Sequence, residues 1–120
     1  MQRMPYQKLF VWQKGIALVQ EVYALARLLP AEERYALSDQ LRRAAVSLPS
    51  NIAEGQGRQT EKELKQFLAI ARGSVYEVET QLYICIKTGY LTADQAKNAF
   101  SLCKEVGRML NKMISLTSDL

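Results

Sequence analysis

The sequence predicts an all-α protein, an antiparallel up-down-up-down four-helix bundle, and three observations carry that expectation. Apolar residues recur at alternating three- and four-residue steps over four long segments. Only three prolines occur, and Pro5 and Pro30 stand where helices should start or stop, leaving Pro49 inside a helical pattern. Threonine caps and glycines mark the other boundaries, so the connections are short enough to join neighbouring antiparallel helices. With 120 residues, 48% of them apolar, the chain reads as one domain, 1–120, able to bury a core without staples.

The first helix is expected at 7–29. Leu9, Trp12, Ile16, Val19, Tyr23 and Ala26 repeat like a coiled-coil seam and read as its inner face. A second row, Val11, Gly15, Leu18, Val22, Leu25 and Leu29, makes the apolar face unusually wide. "PAEER" then turns the chain into a second helix at 36–54, with Ser38 as its candidate cap. Leu37, Leu41, Ala44, Leu48 and Ile52 form its core side. Pro49 has no N–H for the carbonyl four residues back. The helix is therefore kinked at Leu48–Pro49, or a short new one begins under Ser50 or Asn51. A packing bend is preferred to a moving hinge. Gly55 and Gly57 are expected to end the helix in the left-handed conformation glycine tolerates.

A capping box, Thr60 with Glu63, opens the third helix at 60–88. Its stripe is Leu64, Leu68, Ala71, Val75, Val78, Leu82 and Cys85, and Gly89 closes it. Thr92 and Gln95 form a second box for the fourth helix at 92–117. Ala96, Ala99, Cys103, Val106, Leu110 and Met113 face inwards there, while Leu102, Met109 and Leu116 form a separate row. The additional rows on the first and last helices serve aromatic-rich packing within one subunit or contacts between subunits. The second is preferred, which makes Leu102, Met109, Leu116, Val11, Leu18 and Leu25 the expected oligomer interface.

Several function classes fall away on residue chemistry. No apolar run approaches the ~18 residues of a membrane span, and the N-terminal segment lacks a secretory pattern, so a cytoplasmic protein is expected. Histidine is absent, which removes the commonest general base and metal ligand; neither metal nor cofactor is expected. Cys85 and Cys103 lie in apolar stripes and read as buried free thiols. Glu54, Glu77 and Glu79 are the acidic candidates, but Glu77 and Glu79 point to different sides of their helix and cannot work as a pair. No enzyme is expected. "GQGRQT" fails as a phosphate-binding loop, having Arg58-Gln59 where Lys-Ser/Thr is required. A dinucleotide fingerprint fails too, for want of a third glycine at Thr60 and of a preceding strand. Turn chemistry is left, beside an arginine able to hold an anion near the third helix.

Binding has better material. The net charge is +4, and Lys62, Lys65 and Arg72 share one flank of the third helix, with Arg58 just before them. Arg42 and Arg43 lie on either side of the second helix's core stripe. These six are the candidate phosphate contacts. The alternative is a solvated surface in which Glu61 pairs with Lys65 and Glu54 with Arg58.

"LRRAAVSLPSNIAEGQGR", "FLAIARGSVYEVETQLYI" and "TGYL", with "LFVWQKGIALVQEVY" and "EVGRMLNKMI" at the two ends, closely resemble the four-helix-bundle proteins encoded by intervening sequences in bacterial 23S ribosomal RNA genes. The resemblance covers essentially the whole chain. It implies four antiparallel helices, the second bent at Pro49, assembled as a homopentameric ring. The accessory variability protein of diversity-generating retroelements, a basic pentamer that binds nucleic acid and a reverse transcriptase, is similar at a greater distance. In a ring of five, +4 per chain becomes about +20, and counterion release then favours RNA or DNA held through phosphates with little sequence selectivity. The competing expectation is an oligomeric scaffold for another protein, such as a reverse transcriptase.

Overall fold

The computed structural model describes residues 3–117, and four helices dominate them. They are α1 (Phe10–Ala26), α2 (Leu37–Gln56), α3 (Glu61–Lys87) and α4 (Ala93–Leu116), with 3-10 turns at Tyr6–Lys8 and Ala31–Glu33. No strand occurs among the described residues. Each helix packs on its chain neighbours, and α4 returns against α1 to close the bundle. Gly15 faces Pro49 and Ser38 reaches Ala26 between α1 and α2, and Gly55 faces Leu64 and Ser47 meets Ser74 between α2 and α3.

The boundaries follow local chemistry. Thr60 Oγ1 accepts the Glu63 N–H at 3.1 Å, so α3 starts as expected, although the Glu63 carboxylate returns to the threonine hydroxyl instead of its backbone. Thr92 and Gln95 complete the reciprocal box at α4, with both bonds near 3 Å (2.9 and 3.0 Å). Gly89 takes φ +85°, the left-handed conformation that lets the chain leave α3. At the end of α1 the Leu28 and Leu29 N–H groups bond three residues back, to Leu25 and Ala26, and the α-helix stops there, short of Leu29.

Three expectations about α1 and α2 need correction. The inner face of α1 is Val11, Gly15, Leu18, Val22 and Leu25, all buried; the row of Trp12, Ile16 and Val19 is only half-buried and Tyr23 is exposed. Gly15 decides this choice. A Cβ there would stand 3.5 Å from Pro49 Cβ and 3.7 Å from Leu48 Cγ, so its row carries the close approach of α2. Ser38 is not a cap: α2 begins one residue earlier, after Ala36, and the buried Ser38 hydroxyl turns to the Ala26 carbonyl. Gly55 and Gly57 do not leave the helix in the left-handed region. Gly55 is a buried helical residue, and Gly57 caps α2 at φ −87°.

No new helix starts at Ser50 or Asn51. α2 passes through Pro49 without interruption, and the side chains of Ser50 and Asn51 bond back to the carbonyls of Val46 and Ser47 at 2.8 and 2.7 Å. These bonds satisfy carbonyls next to the ladder bond that Pro49 cannot make. One continuous core results, with Leu18, Leu41, Leu48, Ile52, Leu68, Leu82 and Leu110 fully buried within it. Both thiols, Cys85 and Cys103, are free and buried there.

Candidate nucleic-acid interface

The glycine turn between α2 and α3 is a packing device. Gly55 sits where a Cβ would come within 2.9 Å of Phe67 Cβ, so only hydrogen allows α3 so close. Arg58 lies over the Phe67 ring, 4.6 Å from its centroid, and donates to Glu54 Oε2 at 3.0 Å. Arg3 clasps the same turn from the N-terminal side, donating to the carbonyls of Gln56 and Arg58 and to Glu61 Oε1. Arg58 is therefore held by an aromatic face and a carboxylate, and its expected partner Glu54 is the one found.

The other five basic candidates separate in space. Arg43 pairs with Asp39 at 2.8 Å on an exposed turn of α2. Arg42 leans towards Tyr23 of α1, 6.0 Å from the ring centroid, and donates to the Arg34 carbonyl. Both belong to the α1–α2 side of the bundle. Lys62, Lys65 and Arg72 lie on a different face, where Arg72 reaches across to Asn111 Oδ1 of α4 at 3.1 Å. Farther along the same seam Tyr83 packs on Phe100 with ring centroids 4.7 Å apart. These two contacts fix which side of α4 meets α3. They show a second basic row that sequence reading missed: Lys97, Lys104 and Arg108, all exposed. Helical spacing places these three on the flank that carries Phe100 and Asn111.

The α3–α4 face thus interleaves cations with aromatic rings. Lys97 and Lys104 line an open recess of about 570 Å³ floored in part by Phe100, with Asp94 its one acidic lining residue. Tyr83, 57% exposed, stands beside it against Phe100, and Tyr76, 55% exposed, shares its flank of α3. The α4 row was hidden because its residues are scattered among apolar positions and become a row only when α4 is set against α3.

Of the expected oligomer contacts, Val11, Leu18 and Leu25 lie buried in the core of the bundle itself. Leu102 and Met109 are half-buried against that core, and Leu116 is exposed. The nucleophile inventory is equally plain. Burial, with Glu79 adding repulsion, pushes the Cys103 thiol up to about 12, and burial raises Cys85 with help from Glu33. Neither is a thiolate at neutral pH. Glu33 accepts a 2.9 Å bond from the Tyr90 hydroxyl, which holds that phenol above its ordinary value. Among the described residues no helix is long and apolar enough to cross a membrane.

A family model described as 23S rRNA-intervening sequence protein matches residues 7–112. The chain belongs to this family. Its fold is similar to the crystal structure of a protein of unknown function from the S23 ribosomal protein family of Bacteroides thetaiotaomicron, with 26% identity and a TM-score of 0.80. The likeness covers 87% of this chain and 97% of that one. No curated protein matches it. The family match spans both halves of the α3–α4 face, so the α3 cations and the α4 row lie within one family unit.

Proposed function

We propose that this intervening-sequence protein is a non-enzymatic, cytoplasmic nucleic-acid-binding protein that holds RNA or DNA through phosphates. In this reading the four helices alternate in direction, α2 bends at Pro49, and the subunits form a homo-oligomeric ring, a pentamer as the family resemblance implies. The contact surface is the α3–α4 face, with Lys62, Lys65 and Arg72 from one helix and Lys97, Lys104 and Arg108 from the other. The observation that carries the reading is the Arg72–Asn111 bond, because it joins two rows of cations into one surface. Arg42, Arg43 and Arg58 leave the contact set of this face, since Arg43 and Arg58 have carboxylate partners and Arg42 lies off it towards α1.

Contacts to phosphate neutralise charge and release counterions, so log affinity should fall with log salt by roughly 0.7–0.9 per phosphate engaged. The test is fluorescence anisotropy with several unrelated oligonucleotides across a salt series. Replacing Lys62, Lys65 and Arg72 by glutamate should weaken all of them about equally and flatten the salt slope. Replacing Lys97, Lys104 and Arg108 should do the same, whereas Arg43→Gln should not. Wild-type protein with no salt-sensitive retention at low ionic strength would sink the proposal. The alternative is a scaffold for another protein, and it has its own support in Ile70 and Ile84, exposed on the outer side of α3.

A further inference from the structure

On the other side of the bundle, where α1 hands over to α2, Arg27, Arg34 and Arg42 line a half-enclosed cavity of about 340 Å³. Ala26, Leu29, Pro30, Ala31 and Ser38 complete its wall, and no carboxylate is among them. Two nearby acids are turned to other partners: Glu33 accepts from Tyr90 and from the Leu37 N–H, and Asp39 is held by Arg43. The α1 C-terminus and the α2 N-terminus both border the cavity, and their opposed dipoles offset one another. The positive field there comes from the guanidinium groups.

Ser38 lies at the bottom, only 3% exposed, and its hydroxyl donates to the Ala26 carbonyl at 3.5 Å, the outer limit for such a bond. A hydroxyl held so loosely can turn towards a better acceptor. Arg42 spends one N–H on the Arg34 carbonyl at 3.4 Å, leaving most of its planar donor fork unused. Three arginines and a buried serine lining one cavity suit a tetrahedral oxyanion, whose several oxygens accept paired N–H bonds from guanidinium groups.

We propose that this Arg27–Arg34–Arg42 recess is a phosphate-binding site, separate from the α3–α4 face and independent of whether that face binds nucleic acid. The ligand is a phosphate group, supplied either as a free anion or as the terminal phosphate of a nucleic acid. Inorganic phosphate is titrated into the intact protein at constant ionic strength, with chloride as the control, and backbone amide shifts are followed by NMR. Saturable shifts confined to residues 26–42 are expected. They should need roughly tenfold more phosphate in the Arg27→Gln/Arg34→Gln variant, since charge-assisted bonds are lost at two exposed positions that the fold does not need. Shifts spread over every basic surface without saturation, or equal affinity in the variant, would overturn the site.

A second arm compares one oligonucleotide with and without a 5′-phosphate. Tighter binding of the phosphorylated strand, lost in the same variant, identifies the strand terminus as the source; no difference between strands leaves the free anion. The Lys62/Lys65/Arg72 glutamate variant separates the two proposals. It should lose oligonucleotide binding at the α3–α4 face yet keep the phosphate shifts around Ser38.

Discussion

Gly55 shows how one missing methyl can set a helix pair. Its neighbours are Phe67 Cβ at 2.9 Å and Leu64 Cδ1 at 3.2 Å from where a Cβ would stand, and Phe67 Cβ cannot swing away as a chain end could. Gly55→Ala should therefore push α3 outward and cost about 1–3 kcal/mol, read as a lower urea midpoint with unchanged slope. Helix propensity alone would predict the opposite sign, because alanine is the better helix former. Cys103 gives a second residue-scale outcome. Below its ordinary value of 9.0 the thiol is protonated whether or not the chain is folded, so its contribution is intact. Above 9.0 the unfolded chain ionises while the buried thiol resists until about 12. Stability should then fall with rising pH across that window by up to ~1.4 kcal/mol per unit. Urea melts at stepped pH should show a shallower decline in Cys103→Ala than in the parent; equal slopes would mean that other groups dominate. Both thiols were legible as buried from their stripes. The partners of Arg58 were half legible, Glu54 from its four-residue spacing and Phe67 not at all, because its ring meets Arg58 only once α3 has folded back along α2.

At the scale of elements, caps and proline chemistry make separable contributions. The Thr92–Gln95 box satisfies two orphan groups at the start of α4, so Thr92→Ala should cost about 0.5–2 kcal/mol without altering the core. Pro49→Ala restores an N–H where α2 already runs continuously, and far-UV circular dichroism should show helicity kept or slightly raised. Wholesale loss of helix would mean that the proline ring is indispensable to the contact with Gly15. All four helices were legible because each carries a long period and at least one chemical boundary. The two rows of α1 were not separable in the same way. Both repeat at helical steps, and only the Gly15–Pro49 approach, between residues far apart in sequence, selects Val11 and Leu18 over Trp12 and Val19. The basic row of α4 escaped for a related reason. A helix displays its polar face in every direction away from the core, and only the Arg72–Asn111 and Tyr83–Phe100 contacts show which part joins α3.

For the molecule as a whole, the elongated bundle, 48 × 24 × 23 Å, leaves large apolar side chains uncovered, and their placement bears on assembly. Phe10 and Leu28 are 72% and 54% exposed, and Leu116 is 75% exposed. By helical spacing Phe10, Ala17 and Ala24 lie on the flank of α1 that carries Lys14. Lys14 pairs at 3.6 Å with Glu105, which lies on the flank of α4 shared with Leu102, Met109 and Leu116. The two apolar rows therefore run side by side across the α1–α4 seam, away from the α3–α4 cations. A ring closed through this seam would cover the apolar rows and repeat the basic face around the assembly, multiplying a field that +4 on one subunit provides only weakly. Light scattering at micromolar concentration should give several times the 13.6 kDa chain mass. Phe10→Glu and Leu116→Glu should each shift that mass towards the monomer while thermal unfolding stays cooperative, because neither side chain belongs to the core. Leu102 is the poorer probe, since a charge there also strikes packing within the subunit. A wild-type monomer would remove the symmetric amplification on which the proposed nucleic-acid binding relies. An assembly that survives both substitutions would place the contact elsewhere, with Ile70 and Ile84 of α3 the next residues to charge.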